Sequence, residues 1–439
     1  MKKFVFVLWA AFIMLLSSCS GDHYLNVIPR GCTALVAIDP QQAEEMSVPS
    51  TQVFQTLFPD MDLHDGGLDL SSKFYLFESA EGNLGLVAKI SDEGKVDKMI
   101  NKLIEKDDCQ KVIEKKGVKF TVCDQRWVIG YHDYAMMVIG PVIAAQQTPV
   151  MQQMIRYLKQ DEKAGITGSR FFQKLDSIVS PISMVAQVSA LPEQLSAPFM
   201  LGAPKDADAS QVVLATKIEV QQGILYLRGN TYSYNKTVQE SIQSASSFFR
   251  PMSGRFVNNL NDRMVLSFLT NVDGKRFLPV LQQSRGFKDL LTGANTAIDM
   301  NSVINSLDGD LMLSFSAMDE RNMRMVMGAQ VGDTDFWKEA DYWRKTAPRD
   351  FWFTLDEKGA MKKSEFLCGN EEVASLAYRQ QPQVATSLAV LLEGQRLCML
   401  LQLNALDKKL SQTIGSFIRP LFGDIKTIVY SLEDPLAVN

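Results

Sequence analysis

The residues able to do chemistry are few and scattered. Three histidines occur, and His64 alone stands among acids, in the stretch PDMDLHDGGLDL (59–70). Asp60, Asp62, His64, Asp65 and Asp69 begin with the spacing of an EF-hand loop, whose oxygen ligands alternate around a tight turn. Gly is missing at the sixth position and no Glu closes the loop, so the stretch reads as a polar loop ahead of a strand. His23 follows closely behind Cys19. His132, in GYHDYAMMV, sits in a turn between two apolar runs and reads as an exposed turn residue, not as a general base. Ser169, in GITGSRFF, has neither the spacing nor the preceding strand of a nucleophile elbow. Walker A, G-x-G-x-x-G and H-E-x-x-H patterns are absent. Carboxylate pairs such as Glu44-Glu45 and Glu371-Glu372 leave a glycosidase open, because its two carboxyls meet only in three dimensions. The strand pattern is not that of a (β/α)₈ barrel, which counts against it. Trp337, Trp343 and Trp352 cluster in sequence; Trp343 shares an apolar helical stripe with Phe336 and Ala340 and Trp337 points away from it, so packing is the expected role of the cluster, with stacking of an exposed Trp337 on a sugar ring as the alternative. Asp176-Ser177-Ile178 matches a short O-glycosylation pattern of Bacteroidota, a motif brief enough to arise by chance. No cofactor or metal is expected.

Cysteine chemistry is more specific. Lys2 and Lys3 precede an unbroken apolar run, Phe4 to Leu16, too short to span a bilayer and of the length of a signal-peptide core. Leu16-Ser17-Ser18-Cys19 then resembles a bacterial lipobox, in which Cys19 becomes the first mature residue and receives acyl chains on its thiol and amine. At about 0.8 kcal/mol per buried methylene, several chains make a lasting anchor. Ser20 rather than Asp after that cysteine fits outer-membrane sorting, and Asp22 is a meagre version of an acidic surface-export tag, so both faces of the membrane stay open. Export implies an oxidising compartment. The remaining cysteines are Cys32, Cys109, Cys123, Cys368 and Cys398, an odd number. CQKVIEKKGVKFTVC reads as two strands around Lys115-Lys116-Gly117; pairing Glu114 with Val118 sets Cys109 opposite Cys123, which predicts a disulfide worth about 3 kcal/mol for a loop of about 15 residues. The partners of Cys32, Cys368 and Cys398 stay open. With no C-x-x-C, zinc and thioredoxin-like roles have no support.

The elements that would position these residues follow one plan. The chain has 439 residues, 46% hydrophobic and 22% charged, with a net charge of −5. That is ordinary globular composition, sized for two or three domains, and too acidic for nucleic acid or for capture by anionic lipid. SKFYLFESAEGNLGLVAKIS gives a hairpin around Glu81-Gly82-Asn83, followed by a helix with Val96, Met99, Ile100 and Leu103 on one face. LMLSFSAMDERNMRMVMGAQVG and TDFWKEADYWRK repeat the order hairpin, Asp (Asp92, Asp333), helix. ALVAIDPQQAEEM and VLSFLTNVDGKRFLPVLQQ precede the two copies as strand, Asp, helix. VVLATKIEVQQGILYLRGNTYSYN is a long hairpin turning at Gln221-Gln222-Gly223, and TSLAVLLEGQRLCMLLQLNAL, turning near Gly394, is its expected counterpart. Helices are expected at Gln152 to Leu158, Lys236 to Phe249 and Leu410 to Phe422. The fold class is therefore α+β: two similar lobes, each an antiparallel sheet of long hairpins with helices packed on one face. Boundaries fall at 1–18 (signal peptide), 19–31 (lipidated tether), 32–250 (first lobe) and 251–439 (second lobe), with Arg250-Pro251-Met252-Ser253-Gly254 as the link.

YLNVIPRGCTALVAID (Tyr24 to Asp39) carries an aromatic residue, Ile28-Pro29, a small polar turn, an apolar strand and Asp39. In this it resembles the mature start of Bacteroidota lipoproteins grouped as domain of unknown function 4836, although PQQAEEMSVPS departs from the helix expected next. The resemblance implies fold and location and carries no site residues. The expected function is that of an outer-membrane-anchored lipoprotein, a non-enzymatic binding or scaffold module for a protein or glycan of the envelope. A polysaccharide or envelope hydrolase is the alternative.

Overall fold

The computed structural model describes residues 23–45, 63, 65–191, 196–221, 223–260, 263–283, 299–319, 322–332, 336–347, 349–354, 364–370, 392, 394–406, 411, 415 and 422–432. The lipobox, Cys19, Asp60, Asp62, His64, Glu371-Glu372, Asp333 and most of the helix expected at 410–422 lie outside them. The chain divides into two compact units, Met1–Val185 and Ala186–Asn439. The link expected at Arg250 to Gly254 lies inside the second unit, where Phe249–Arg250 pairs with a neighbouring strand.

In the first unit a 3-10 turn, His23–Val27, leads to β1 (Ala34–Ile38) and α1 (Pro40–Glu45); then come β2 (Phe74–Glu78), β3 (Leu84–Lys89), α2 (Glu93–Glu105), β4 (Ile113–Lys115), β5 (Val118–Cys123), β6 (Trp127–His132), β7 (Ala135–Ile139), α3 (Ala144–Leu158), α4 (Arg170–Asp176) and β8 (Ile182–Gln187). β1 pairs β2, β2 pairs β3, β3 pairs β7, β7 pairs β6, β6 pairs β5 and β5 pairs β4, all antiparallel. β8 lies on the free side of β1. α2 starts because the Asp92 carboxylate caps it, accepting from the Lys95 N–H, and it buries Val96, Met99, Ile100 and Leu103. The stretch 24–29, expected as tether, is instead packed: Tyr24, Leu25, Val27 and Ile28 are buried. Burial of four apolar side chains in six residues offsets the backbone entropy lost in ordering them.

Helices cover both faces of this sheet, not one. Tyr131, which donates to Asp97 of α2, lies opposite Lys119 on β5–β6; Phe120 and Gly130 form the neighbouring pair and point to the other face. There a Cβ on Gly130 would stand 3.0 Å from the Met154 methyl of α3, so the glycine makes room for that helix. Strands buried on both sides, such as β7 with five buried residues, require this double cover.

The second unit contains β9 (Val213–Gln221), β10 (Ile224–Tyr232), α5 (Lys236–Ser246), β11 (Phe249–Arg250), β12 (Leu266–Asp273), α6 (Gly274–Gln283), α7 (Met300–Asn305), β13 (Leu307–Asp319), β14 (Asn322–Val331), α8 (Phe336–Thr346), β15 (Trp352–Phe353), β16 (Glu365–Gly369), β17 (Leu397–Gln402) and β18 (Thr427–Leu432). Its strand order is β9-β10-β18-β17-β12-β13-β14-β16-β15, antiparallel except for the parallel pair β10–β18. β17 thus lies between β12 and β18, and the partner strand expected before Gly394 falls outside the described residues. One face of the sheet buries Tyr226, Leu269, Met312, Val326, Cys398, Leu400 and Val429 beneath a strap running from Met252 to Met264. The other face meets helices, with Phe277 of α6 against Phe249 and Phe336 of α8 against Phe366.

Candidate functional site

Cys109 and Cys123 form a disulfide. The hairpin that sets it differs in detail from the expected register. Lys115 faces Val118, so the turn is the two residues Lys116-Gly117, both with positive φ (53 and 73). Ile113 then faces Phe120 while Cys109 bridges Cys123, which leaves one extra residue on the outer strand, a bulge in 110–112. Gln110 holds the bulge: its N–H donates to Val122 and its carbonyl accepts from the Thr121 hydroxyl at 2.6 Å. Cys32, Cys368 and Cys398 are free and buried. Burial pushes the Cys32 thiol up to about 12 and raises those of Cys368 and Cys398 as well, the reverse of what a nucleophilic thiolate needs.

Of the acids near His64, Asp65 and Asp69 are the described ones, and each has partners of its own. Asp65 pairs with Lys95 of α2 at 2.8 Å. Asp69 accepts from the Ser71 and Ser72 hydroxyls at 2.6 and 2.9 Å and pairs with Lys89 at 3.1 Å. Partial burial pushes the Asp69 carboxyl up, but the hydrogen bonds from Ser71, Lys89 and Ser72 outweigh it and hold it at about 2. Among the described residues no group of three or more His, Cys, Asp or Glu side chains is placed to hold a metal ion. His132 pairs with its neighbour Asp133, and exposed His23 lies 6.1 Å from the ring of Tyr134. Ser169 is the N-cap of α4, accepting from the Phe172 N–H, which is why it is followed by a helix without being an elbow. Ser177 is exposed at the far end of α4 and donates to the Lys174 carbonyl. Trp343 packs on Phe351, Phe353 and Phe366, Trp352 on the strap side of the sheet, and half-buried Trp337 lies edge-on to Phe336 at 5.1 Å. The tryptophans are packing residues and share no exposed platform.

Two polar clusters escape a reading of the sequence. Lys119 reaches both Glu93 and Asp97 at 2.8 and 2.7 Å, and Tyr131, 1% exposed, donates to Asp97 at 2.8 Å. The two carboxylates hold the lysine in its charged form, while burial and the Asp97 bond raise the tyrosine hydroxyl. This is a fastener between α2 and the sheet, with its protons held tightly on Lys119 and Tyr131. In the second unit Asp310, 4% exposed, accepts from the Ser253 N–H and hydroxyl, the Arg255 N–H and the Asn271 amide. Arg250 extends the network to Asn271 and Asp308. The cavity beside Asp310, lined by Met252, Phe256, Val257, Leu269 and Thr270, holds about 10 Å³, less than a ligand requires. An acid inside the apolar strand LDGDLMLSF was the one signal for Asp310.

The model of a family described as a domain of unknown function, DUF4836, matches residues 24–349. The chain belongs to that family. No curated protein matches it. Among solved structures, crystal form IV of TP0453 is similar at 10% identity and a TM-score of 0.29, over 46% of this chain and 77% of that one. Crystal form I of TP0453 gives 10% identity and a TM-score of 0.26, over 85% of this chain and 99% of that one. Likeness at that level carries no argument about fold or activity. No described helix is long and apolar enough to cross a membrane.

Proposed function

We propose that this protein is an exported lipoprotein of a Bacteroidota-type outer membrane, acylated at Cys19, whose folded body is a non-enzymatic binding or scaffold module for another envelope component. The observation that carries the reading is where the fold starts: Tyr24 is 5% exposed, five residues past the lipobox cysteine, so the packed body begins almost where the mature lipoprotein would. The Cys109–Cys123 disulfide fits an oxidising compartment. Among the described carboxylates, Asp69, Asp97 and Asp310 are each bonded to groups that fasten the fold. Metabolic labelling with palmitate tests the anchor: the wild-type product takes label and sediments with membranes, and Cys19→Ala does neither. An unlabelled wild-type product ends the reading.

We further infer that the two lobes are copies of one module. Neighbour order β8-β1-β2-β3-β7 in the first unit has its match in β17-β12-β13-β14-β16 in the second. Asp39 accepts from the Gln41 N–H at the start of α1, and Asp273 from the Lys275 N–H at the start of α6. ISMVAQVSALPEQL (182–195) and LCMLLQLNALDKKL (397–410) share Met, Gln, Ala and two Leu at equal spacing. After each strand comes a 3-10 turn whose first N–H donates to the residue ahead of the next strand, Val188 to Val212 at 2.8 Å and Leu403 to Lys426 at 2.9 Å. On this reading β17 corresponds to β8, and the first copy runs on to β9, past the end of the first compact unit and closer to the expected boundary at 250.

A further inference from the structure

The sheet of the first unit has two distinct ends, and the chain enters at one of them. By register, one end gathers the β6–β7 turn at Asp133-Tyr134, the β4–β5 turn at Lys116-Gly117, the last residue of β3 and the first of β2. The opposite end gathers the turns at 79–83 and 124–126. His23 lies against Tyr134 of the first end, and the Tyr24 hydroxyl donates to the Lys73 carbonyl beside β2 at 3.0 Å.

Resting on acylation of Cys19, we propose that this entry end of the first unit is a lipid-facing surface, pressed against the headgroups of the membrane that holds the anchor. The argument is one of length. Cys19 to Tyr24 is five residue steps, at most about 18 Å when fully extended. Crossing the headgroup layer uses about 5–8 Å of that. The remaining slack is about 10–13 Å, so the entry end cannot move farther than that from the headgroups. Its tips suit an interface: Tyr134 is half-buried beside His23, and Val179, 81% exposed, stands on the loop whose Pro181 carbonyl accepts from Asp39 just past β1. Lys73 and Lys116 share that end with Asp133 and Asp176, so the short tether, not charge, holds it there. The turn at 124–126 lies a full strand length farther away.

Photo-crosslinking tests this on the full, acylated chain in phosphatidylethanolamine vesicles. A benzophenone amino acid replacing Tyr134 is expected to capture lipid about tenfold more than one replacing exposed Gln125, and a long Gly-Ser spacer inserted between Ser20 and Gly21 should erase the difference. Palmitate label and vesicle association are measured in the same samples. Equal capture at both positions in a labelled, vesicle-bound protein overturns the orientation while leaving the anchor standing. So does a difference that survives the spacer. An unlabelled, unbound product overturns the anchor and the orientation together.

Discussion

The two units use different means to hold their sheets. In the first, the outermost strand is stapled by Cys109–Cys123, and α2 is fastened to the sheet by Lys119 between Glu93 and Asp97. In the second, among the described residues, the corresponding service comes from one buried acid. Asp310 collects the Ser253, Arg255 and Asn271 donors and so fixes the strap that closes an apolar face. A disulfide acts mainly by limiting the unfolded chain, whereas a buried carboxylate acts through the charge-assisted hydrogen bonds it collects in the folded one. The first unit divides its fastening between a staple and a helix clasp, whereas the strap of the second rests on one residue.

The largest effect is therefore expected at Asp310. Asp310→Ala removes the buried carboxylate shared by four part-buried donors, each hydrogen bond to a charged group being worth about 1.5–3 kcal/mol, and should destabilise the second unit by about 4 kcal/mol. Cys398 lies under the strap and Cys32 in the first unit, both buried, so they report on the two regions separately. Thiol labelling of Cys398 should accelerate by about two orders of magnitude or more while Cys32 keeps its rate, at 1.4 kcal/mol per tenfold. Equal acceleration of both thiols would show that the strap is not held locally.

What the sequence conveyed and what it hid follow the same division. Hairpins and helices with a clean period were legible: Val96, Met99, Ile100 and Leu103 are the buried face of α2, and Gly117 and Gly223 sit at positive φ in their turns. The double cover of the first sheet was not, because a strand buried on both sides looks like any short apolar run. Nor was the strap: Arg250-Pro251-Met252-Ser253-Gly254 has the composition of a linker, and what fastens it is an acid 57 residues away, the separation of Ser253 from Asp310. Turn chemistry at Gly394 is a strong local signal for a hairpin of TSLAVLL with LCMLLQ, whereas the spacing that Ile182–Leu191 shares with Leu397–Leu406 lies 215 residues apart and has no local signature.

Next in size is the staple. Replacing both Cys109 and Cys123 by Ala should cost about 3 kcal/mol, and the loss should appear in the first unit, as faster labelling of Cys32 with Cys398 unchanged. A smaller effect is expected at Lys119→Met, which leaves Glu93 and Asp97 without their cation at a site about one-third exposed. Roughly 1 kcal/mol is expected there after solvent screening, with hydrogen exchange in α2 rising and exchange in α8 unmoved.

The smallest effect separates the units by pH. Asp69 is held at about 2 against an ordinary value of 3.8, so its charged form is favoured by the fold. The sign follows: its contribution is fully present above pH about 4 and is lost as pH falls from there towards about 2. With the carboxylate partly in water, roughly 1 kcal/mol is at stake. Chemical denaturation of the first unit, followed through Cys32 exposure, should give a wild-type stability that declines between pH 4 and pH 2 more steeply than that of Asp69→Asn, with the two converging at the acid end. Parallel curves would mean that Ser71, Ser72 and Lys89 hold the loop at 69–72 as well without the charge as with it.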